Sequence, residues 1–151
     1  MNSISVESYI RMGDAFVPIQ EISRYGGDRE YVPGAISLRI DGIEILGVEL
    51  WDDVNWLWLF IVQALDDCRR TGFGNRGFPD QPISFSVRVA GAGQLLVSVT
   101  DGESINRKAN AVADELYAAV AGAGLEFFAQ LERLCPGTNL DESKVLQAWL
   151  A

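Results

Sequence analysis

Two stretches constrain this fold more than any others: AISLRIDGIEIL (Ala35–Leu46) and ISFSVRVAGAGQLLVSV (Ile83–Val99). In the first, Asp41-Gly42 suits a two-residue type I′ turn, which needs positive φ at both central positions. A hairpin closed there sets Ile40 opposite Ile43 and Leu38 opposite Ile45, with Ile36 on the same side. In the second, a Gly91-Ala92-Gly93 loop pairs Val89 with Leu95, Val87 with Val97 and Phe85 with Val99. Ser84, Ser86 and Arg88 then line the other face, as in an antiparallel sheet wet on one side. The expectation is that the apolar residues of both hairpins share one buried sheet face.

Upstream, Ile4–Met12 and Ala15–Gln20 read as short strands leading into a glycine-containing loop, RYGGDREYVPG. Between the hairpins, WDDVNWLWLFIVQALDD begins a helix over roughly residues 52–71, stopped by Gly72. Asp52 and Asp53 fit its N-terminus, where the helix dipole favours acids. From about Glu103 onward, Ile105, Ala109, Val112, Leu116, Val120, Ala123, Phe127, Leu131 and Leu134 recur at helical spacing. Gly122 and Gly124 are expected to kink or split that helix, since each costs up to ~1 kcal/mol relative to alanine. Pro136-Gly137 ends it, and Leu140–Leu150 would close the chain as a short helix carrying Trp149. The order of elements predicts an α+β fold, an antiparallel sheet of hairpins with helices packed on one face. With no internal linker and no repeat, residues 1–151 read as one domain, long enough to bury roughly two thirds of its unfolded surface.

Apolar residues make up 48% and charged residues 22%, a globular composition. The longest apolar run, Trp56–Val62, falls far short of the ~18 residues of a membrane span. MNSISVESYI lacks a basic cluster ahead of an apolar core, so no secretory signal is expected and the reading is cytoplasmic. Twenty-one acids against twelve bases give a net charge of −9. That field disfavours nucleic acid and anionic lipid and favours a basic partner.

Catalytic patterns are weak. The chain has no histidine, which removes the commonest general base and the usual hydrolytic triads. GFGNRG (Gly72–Gly77) spells GxGxxG, but a phosphate cradle needs that motif after a strand and before a helix. Here it follows a helix and leads toward a proline turn. Asp52-Asp53 and Asp66-Asp67 are tandem pairs, and neighbours on a helix point about 100° apart, which makes no clamp. Cys68 and Cys135 fit neither a metal nor a disulfide framework. No catalytic residue, metal or cofactor is expected.

The tryptophan-rich helix resolves into two sides. Val54, Leu57, Trp58, Ile61, Ala64, Leu65 and Cys68 form an apolar side that must face the sheet. The reverse carries Asn55, Trp56, Leu59, Phe60, Gln63, Asp66, Asp67 and Arg70. Two explanations fit its aromatic half. Either a neighbouring helix covers Trp56, Leu59 and Phe60, or these residues form an exposed anchor patch for a partner. In the second case the partner-binding residues are Glu49, Trp56, Leu59, Phe60, Gln63, Asp66 and Asp67, the acids steering a basic surface toward the aromatics.

The strand pair, the helix opening WDDVNWLW, and FPDQPISFSV before a strand resemble small bacterial immunity proteins of polymorphic toxin systems. The likeness runs from Ile36 to Val99, with FPDQP (Phe78–Pro82) its most recognisable piece. It implies a small, acidic, non-catalytic protein that binds and blocks a toxin domain, and it assigns no binding residue. Beside this stand a homodimeric structural or regulatory module and, third, a carboxylate-dependent or small-molecule-binding enzyme.

Overall fold

The computed structural model describes residues 3–138 and 141–151. In chain order the elements are β1 (Ile4–Met12), β2 (Ala15–Pro18), β3 (Pro33–Ile40), β4 (Ile43–Leu46) and β5 (Asp52–Asp53). There follow α1 (Val54–Thr71), β6 (Phe73–Gly77), β7 (Ser84–Val89), β8 (Gln94–Thr100), β9 (Asn106–Val112), α2 (Ala113–Leu134) and α3 (Ser143–Leu150). The fold is α+β, as the periodicity predicts, but the strands form two antiparallel sheets. One runs β2-β1-β3-β4 with β5 added on β3, and the other runs β6-β7-β8-β9. The two hairpins therefore belong to different sheets, joined where β4 lies against β8 and β9.

The turn chemistry behaves as expected. Asp41 and Gly42 both have positive φ, at 51° and 81°, and Ile40 pairs with Ile43. A register shift between Leu38 and Arg39 then sets Leu38 opposite Leu46, not Ile45. A bulge of this kind adds one residue to a strand, which is why counting outward from the turn fails beyond it. In the second hairpin Val89, Val87 and Phe85 pair with Leu95, Val97 and Val99 as predicted. Ile43 and Val89, expected inside, are exposed, each in the pair next to the turn of its hairpin.

One long helix from Glu103 is not what forms. Residues 106–112 pair with β8 as β9, and α2 starts only at Ala113. NRKANAV satisfies both periods: Ala109, Val112 and Leu116 fall at helical spacing, while Ala109 and Ala111 alternate with exposed Lys108 and Asn110. Pairing with β8 decides between them. Gly122 and Gly124 lie within an uninterrupted α2. Gly124 is a contact point, since a Cβ there would stand 2.7 Å from Leu146 of α3 and 3.0 Å from Trp58 of α1. The closing helix spans Ser143–Leu150, and its expected first residue, Leu140, lies outside the described residues.

The helix α1 packs on β6 and β7 of one sheet and β3 of the other, while α2 packs on β1 and β9 with α3 against it. Buried side chains from both sheets and all three helices merge into one cluster. Trp58 sits at its centre, fully buried, stacked on Phe127 at 5.7 Å between ring centroids. Its indole N–H donates to the buried Ser8 hydroxyl at 2.8 Å. GFGNRG closes α1 at Gly72, continues as β6 and, as the sequence predicts, leads into the proline turn at Phe78–Pro82. Gly74 is there for contact: a Cβ would lie 1.8 Å from the Ala64 carbonyl oxygen of α1. No helix among the described residues is long and apolar enough to cross a membrane.

Candidate functional site

The three tryptophans around α1 go to three environments. Trp51 lies under the Arg11 guanidinium, 4.3 Å from the ring centroid, and Trp58 is the core residue just described. Trp56 stays at the surface. All seven residues assigned to the apolar side of α1 are buried. On the reverse, Asn55 is buried as well, while Trp56, Leu59, Phe60, Gln63, Asp66 and Asp67 are half-buried and Arg70 is exposed.

What lies beside Trp56 is a loop, not the neighbouring helix that one sequence reading expects. The helix α2 meets α1 through Trp58, Phe127 and Phe128 instead. The Glu30 carbonyl accepts two hydrogen bonds, from the Trp56 indole N–H at 2.7 Å and from the Asn55 amide at 2.8 Å. The Asn55 side-chain oxygen accepts the Val32 N–H at 3.1 Å, so one residue pins the loop by both ends of its amide. Asp28 shapes the same loop, its carboxylate accepting the Glu30 and Tyr31 amides. Arg29 ties it to the end of α2 by donating to the Pro136 carbonyl.

The result is an aromatic run across two elements. Tyr31, 51% exposed, stacks on Trp56 with centroids 6.2 Å apart, and Trp56 meets Phe60 at 6.2 Å in a tilted geometry. An open cavity of about 430 Å³ adjoins Trp56, with Arg29, Glu30 and the segment from Cys135 to Thr138 as its other walls. The aromatics rest on rigid backbone, since α1 is anchored by its buried side and the loop by the bonds above.

Asp66 and Asp67 are already paired. Arg70 bridges both, at 3.2 Å to Asp66, and Arg76 of β6 reaches Asp67 at 2.8 Å. Gln63 accepts from Arg76 at 3.4 Å, completing a network along the C-terminal half of the helix. Glu49 stands apart from α1, paired with Arg107 of β9 at 2.8 Å across the seam between the sheets. Burial alone would raise its carboxyl, but a backbone N–H and Arg107 together hold it below its usual range. The structure thus groups Trp56, Leu59, Phe60, Gln63, Asp66 and Asp67 on one helix side and leaves Glu49 with other partners.

Asp52 and Asp53 are not a simple helix start. Asp52 is 3% exposed, and its carboxylate accepts the backbone N–H groups of Asp80 and Gln81 at 3.0 and 2.9 Å. It holds the FPDQP turn against the entry to α1. Asp53 occupies the N-cap but makes no side-chain capping bond. Burial, reinforced by the carboxylates of Asp52, Asp80 and Asp28, pushes the Asp53 carboxyl up. Asp28, Tyr31 and Asp80 are site residues that sequence reasoning passes over, since loops carry no periodicity. Asp53 is read from the sequence only as an acid at the start of the helix.

No group of three or more cysteine or carboxylate side chains able to hold a metal occurs among the described residues. Cys68 and Cys135 are free and buried. The arrangement offers surface for contact. Comparison of the chain with protein-family models, with curated proteins and with solved structures gives no match in any of the three.

Proposed function

We propose that this chain is a non-catalytic, immunity-type protein of the bacterial cytoplasm that binds and neutralises a basic toxin domain through the outward side of α1. The observation that carries the reading is the aromatic run Tyr31–Trp56–Phe60, held at the surface of a chain with net charge −9 and bordered by an open cavity. Tryptophan and tyrosine on rigid backbone give large contact area at small entropic cost, which is why they dominate binding hot spots. Leu59 and Gln63 extend the contact along the helix, and the Asp66–Asp67–Arg70–Arg76 network forms its polar rim. The acidic field around that surface speeds encounter with a basic partner, and the aromatics slow its departure.

The test uses the gene neighbourhood. A reading frame upstream encoding a large secreted protein with a variable C-terminal domain supplies the candidate toxin. Co-expression should relieve the growth arrest caused by that domain. Trp56→Ala should then weaken binding by at least ~2 kcal/mol while leaving the fold intact. No protection by the wild-type chain, or a Trp56→Ala loss explained wholly by a lower melting temperature, would sink the reading. A symmetric dimer closed through Trp56 and Phe60, with no toxin binding, would favour the homodimeric module.

A further inference from the structure

A sheet edge carries backbone groups without a ladder partner, and this fold treats its edges unequally. The strand β2 is four residues long and ends in Pro18, which has no N–H to give. Strands β4 and β9 lie against each other at the seam between the sheets, where Glu49 pairs with Arg107. The strand β6 is left open. It is the outer strand of the order β6-β7-β8-β9, five residues with no proline and an unbroken register. At its ends the Val89 N–H donates to the Gly72 carbonyl and the Phe78 N–H to the Ile83 carbonyl. Bonded pairs alternate in an antiparallel ladder, so Gly74 and Arg76 turn their backbone groups to β7 while Phe73, Asn75 and Gly77 turn theirs outward. All three outward residues are exposed. Local bonds do not close this edge. The Thr71 hydroxyl lies 3.1 Å from the Phe73 carbonyl, but its single proton has a shorter bond, 2.8 Å, to the Asp67 carbonyl. Arg76 donates to the Asn75 carbonyl at 2.9 Å, which leaves that oxygen a second lone pair. Neither contact involves the outward N–H groups.

The open edge borders the outward side of α1. Gly74 packs on the Ala64 backbone, and the turn after β6 is held at the start of α1 by Asp52, so β6 runs back along the helix in the opposite direction. From β6, Arg76 reaches Asp67 at 2.8 Å and Gln63 at 3.4 Å, both on that outward side. Building on the reading of α1 as a protein-binding face, we propose that β6 is the docking edge for an extended segment of the partner protein, which joins the four-stranded sheet as a fifth strand. Main-chain bonds to Phe73, Asn75 and Gly77 hold the segment. Its side chains alternate between the outward side of α1 and the face that carries exposed Phe73. Sterics select this occupant over a second copy of the chain. Another β6 would bring its own α1, equally close to its strand. Strands about 4.8 Å apart would then force together two helices that need about 8–10 Å between axes. An extended segment carries no such helix.

The probe is the C-terminal domain encoded by the upstream reading frame, purified in complex with the isotope-labelled full chain. Amide hydrogen exchange should slow at Phe73, Asn75 and Gly77 and change little at Gly74 and Arg76, which already face β7. General burial of the surface does not produce that alternation. Asn75→Pro removes one outward N–H without costing a native ladder bond, whereas Asn75→Ala loses the side chain and its bond from Ser86 but keeps the N–H. The proline variant should bind roughly 10-fold more weakly and the alanine variant within about 2-fold of wild type, at similar melting temperatures. Equal affinities for the two folded variants, or a complex without slowing at the three amides, would overturn the proposal. The exchange pattern decides alone where the proline variant fails to fold. Slowing of the same amides in the isolated chain at rising concentration would make a second copy the occupant and overturn it too. Each of these results leaves toxin neutralisation through Trp56 standing, because relief of growth arrest is scored separately. No complex at all, with growth arrest unrelieved, sinks both.

Discussion

Asp52 is the residue on which the entry to α1 depends, and its replacement gives a graded forecast. One carboxylate oxygen accepts the Asp53 N–H at 2.6 Å, and the other accepts Asp80 and Gln81 at 3.0 and 2.9 Å. Asp52→Ala removes both carboxylate bonds to the FPDQP turn and leaves only the Gln81 side-chain bond to the Trp51 carbonyl tying it to the start of α1. Hydrogen bonds to a charged group contribute about 1.5–3 kcal/mol each. Water can reach these part-buried amides, and the alanine no longer pays to bury a carboxylate, so the expected loss is about 2–3 kcal/mol. Asp52→Asn is milder. Its single oxygen can keep both turn amides, but its NH2 then faces the Asp53 N–H, donor against donor, and the loss should be about 1–1.5 kcal/mol. Urea denaturation at pH 7 measures the order, and hydrogen exchange at the Asp80 and Gln81 amides locates it. An alanine variant within ~0.5 kcal/mol of wild type, or an asparagine as damaging as alanine, would refute the anchoring role.

Gly74→Ala should be severely destabilising, by ~3 kcal/mol or more, because the new methyl meets the Ala64 backbone at 1.8 Å and only separation of β6 from α1 relieves it. Gly77→Ala is the control, its Cβ standing 3.9 Å from the nearest atom, and equal melting temperatures for the two would refute the close-approach account. Asp53→Asn should stabilise the chain at neutral pH, since the Asp53 carboxyl is raised in the fold by burial and by Asp52, Asp80 and Asp28. A raised carboxyl costs stability above its folded pKa, and the cost fades as pH falls through that value toward the ordinary aspartate range. The gain from the substitution should therefore vanish by about pH 3, and a gain independent of pH would point to some other cause.

Local chemistry decides much of this molecule. Asp41-Gly42 and Gly91-Ala92-Gly93 specify their hairpins because few residues tolerate the backbone those turns need, and the alternation beside them fixes which side chains face inward. The buried side of α1 follows from helical spacing alone, and all seven of its assigned residues are in the core. The placement of Trp56, Phe60 and the acids on the opposite side follows from the same spacing. Tertiary contacts decide the rest. Whether Asn106–Val112 is strand or helix depends on β8 being available to pair, because its apolar positions satisfy both periods. The division into two sheets rests on pairings between strands far apart in the chain, such as β1 with β3, and no turn or period encodes that choice. The bulge at Leu38 and the contacts of Gly74 and Gly124 arise where two distant segments meet. The same holds at the candidate site: Tyr31, Asp28 and Asp80 come to Trp56 and Asp53 through loop hydrogen bonds across more than twenty residues of chain. Spacing along one element can be read from sequence, whereas proximity between elements is a property of the folded whole.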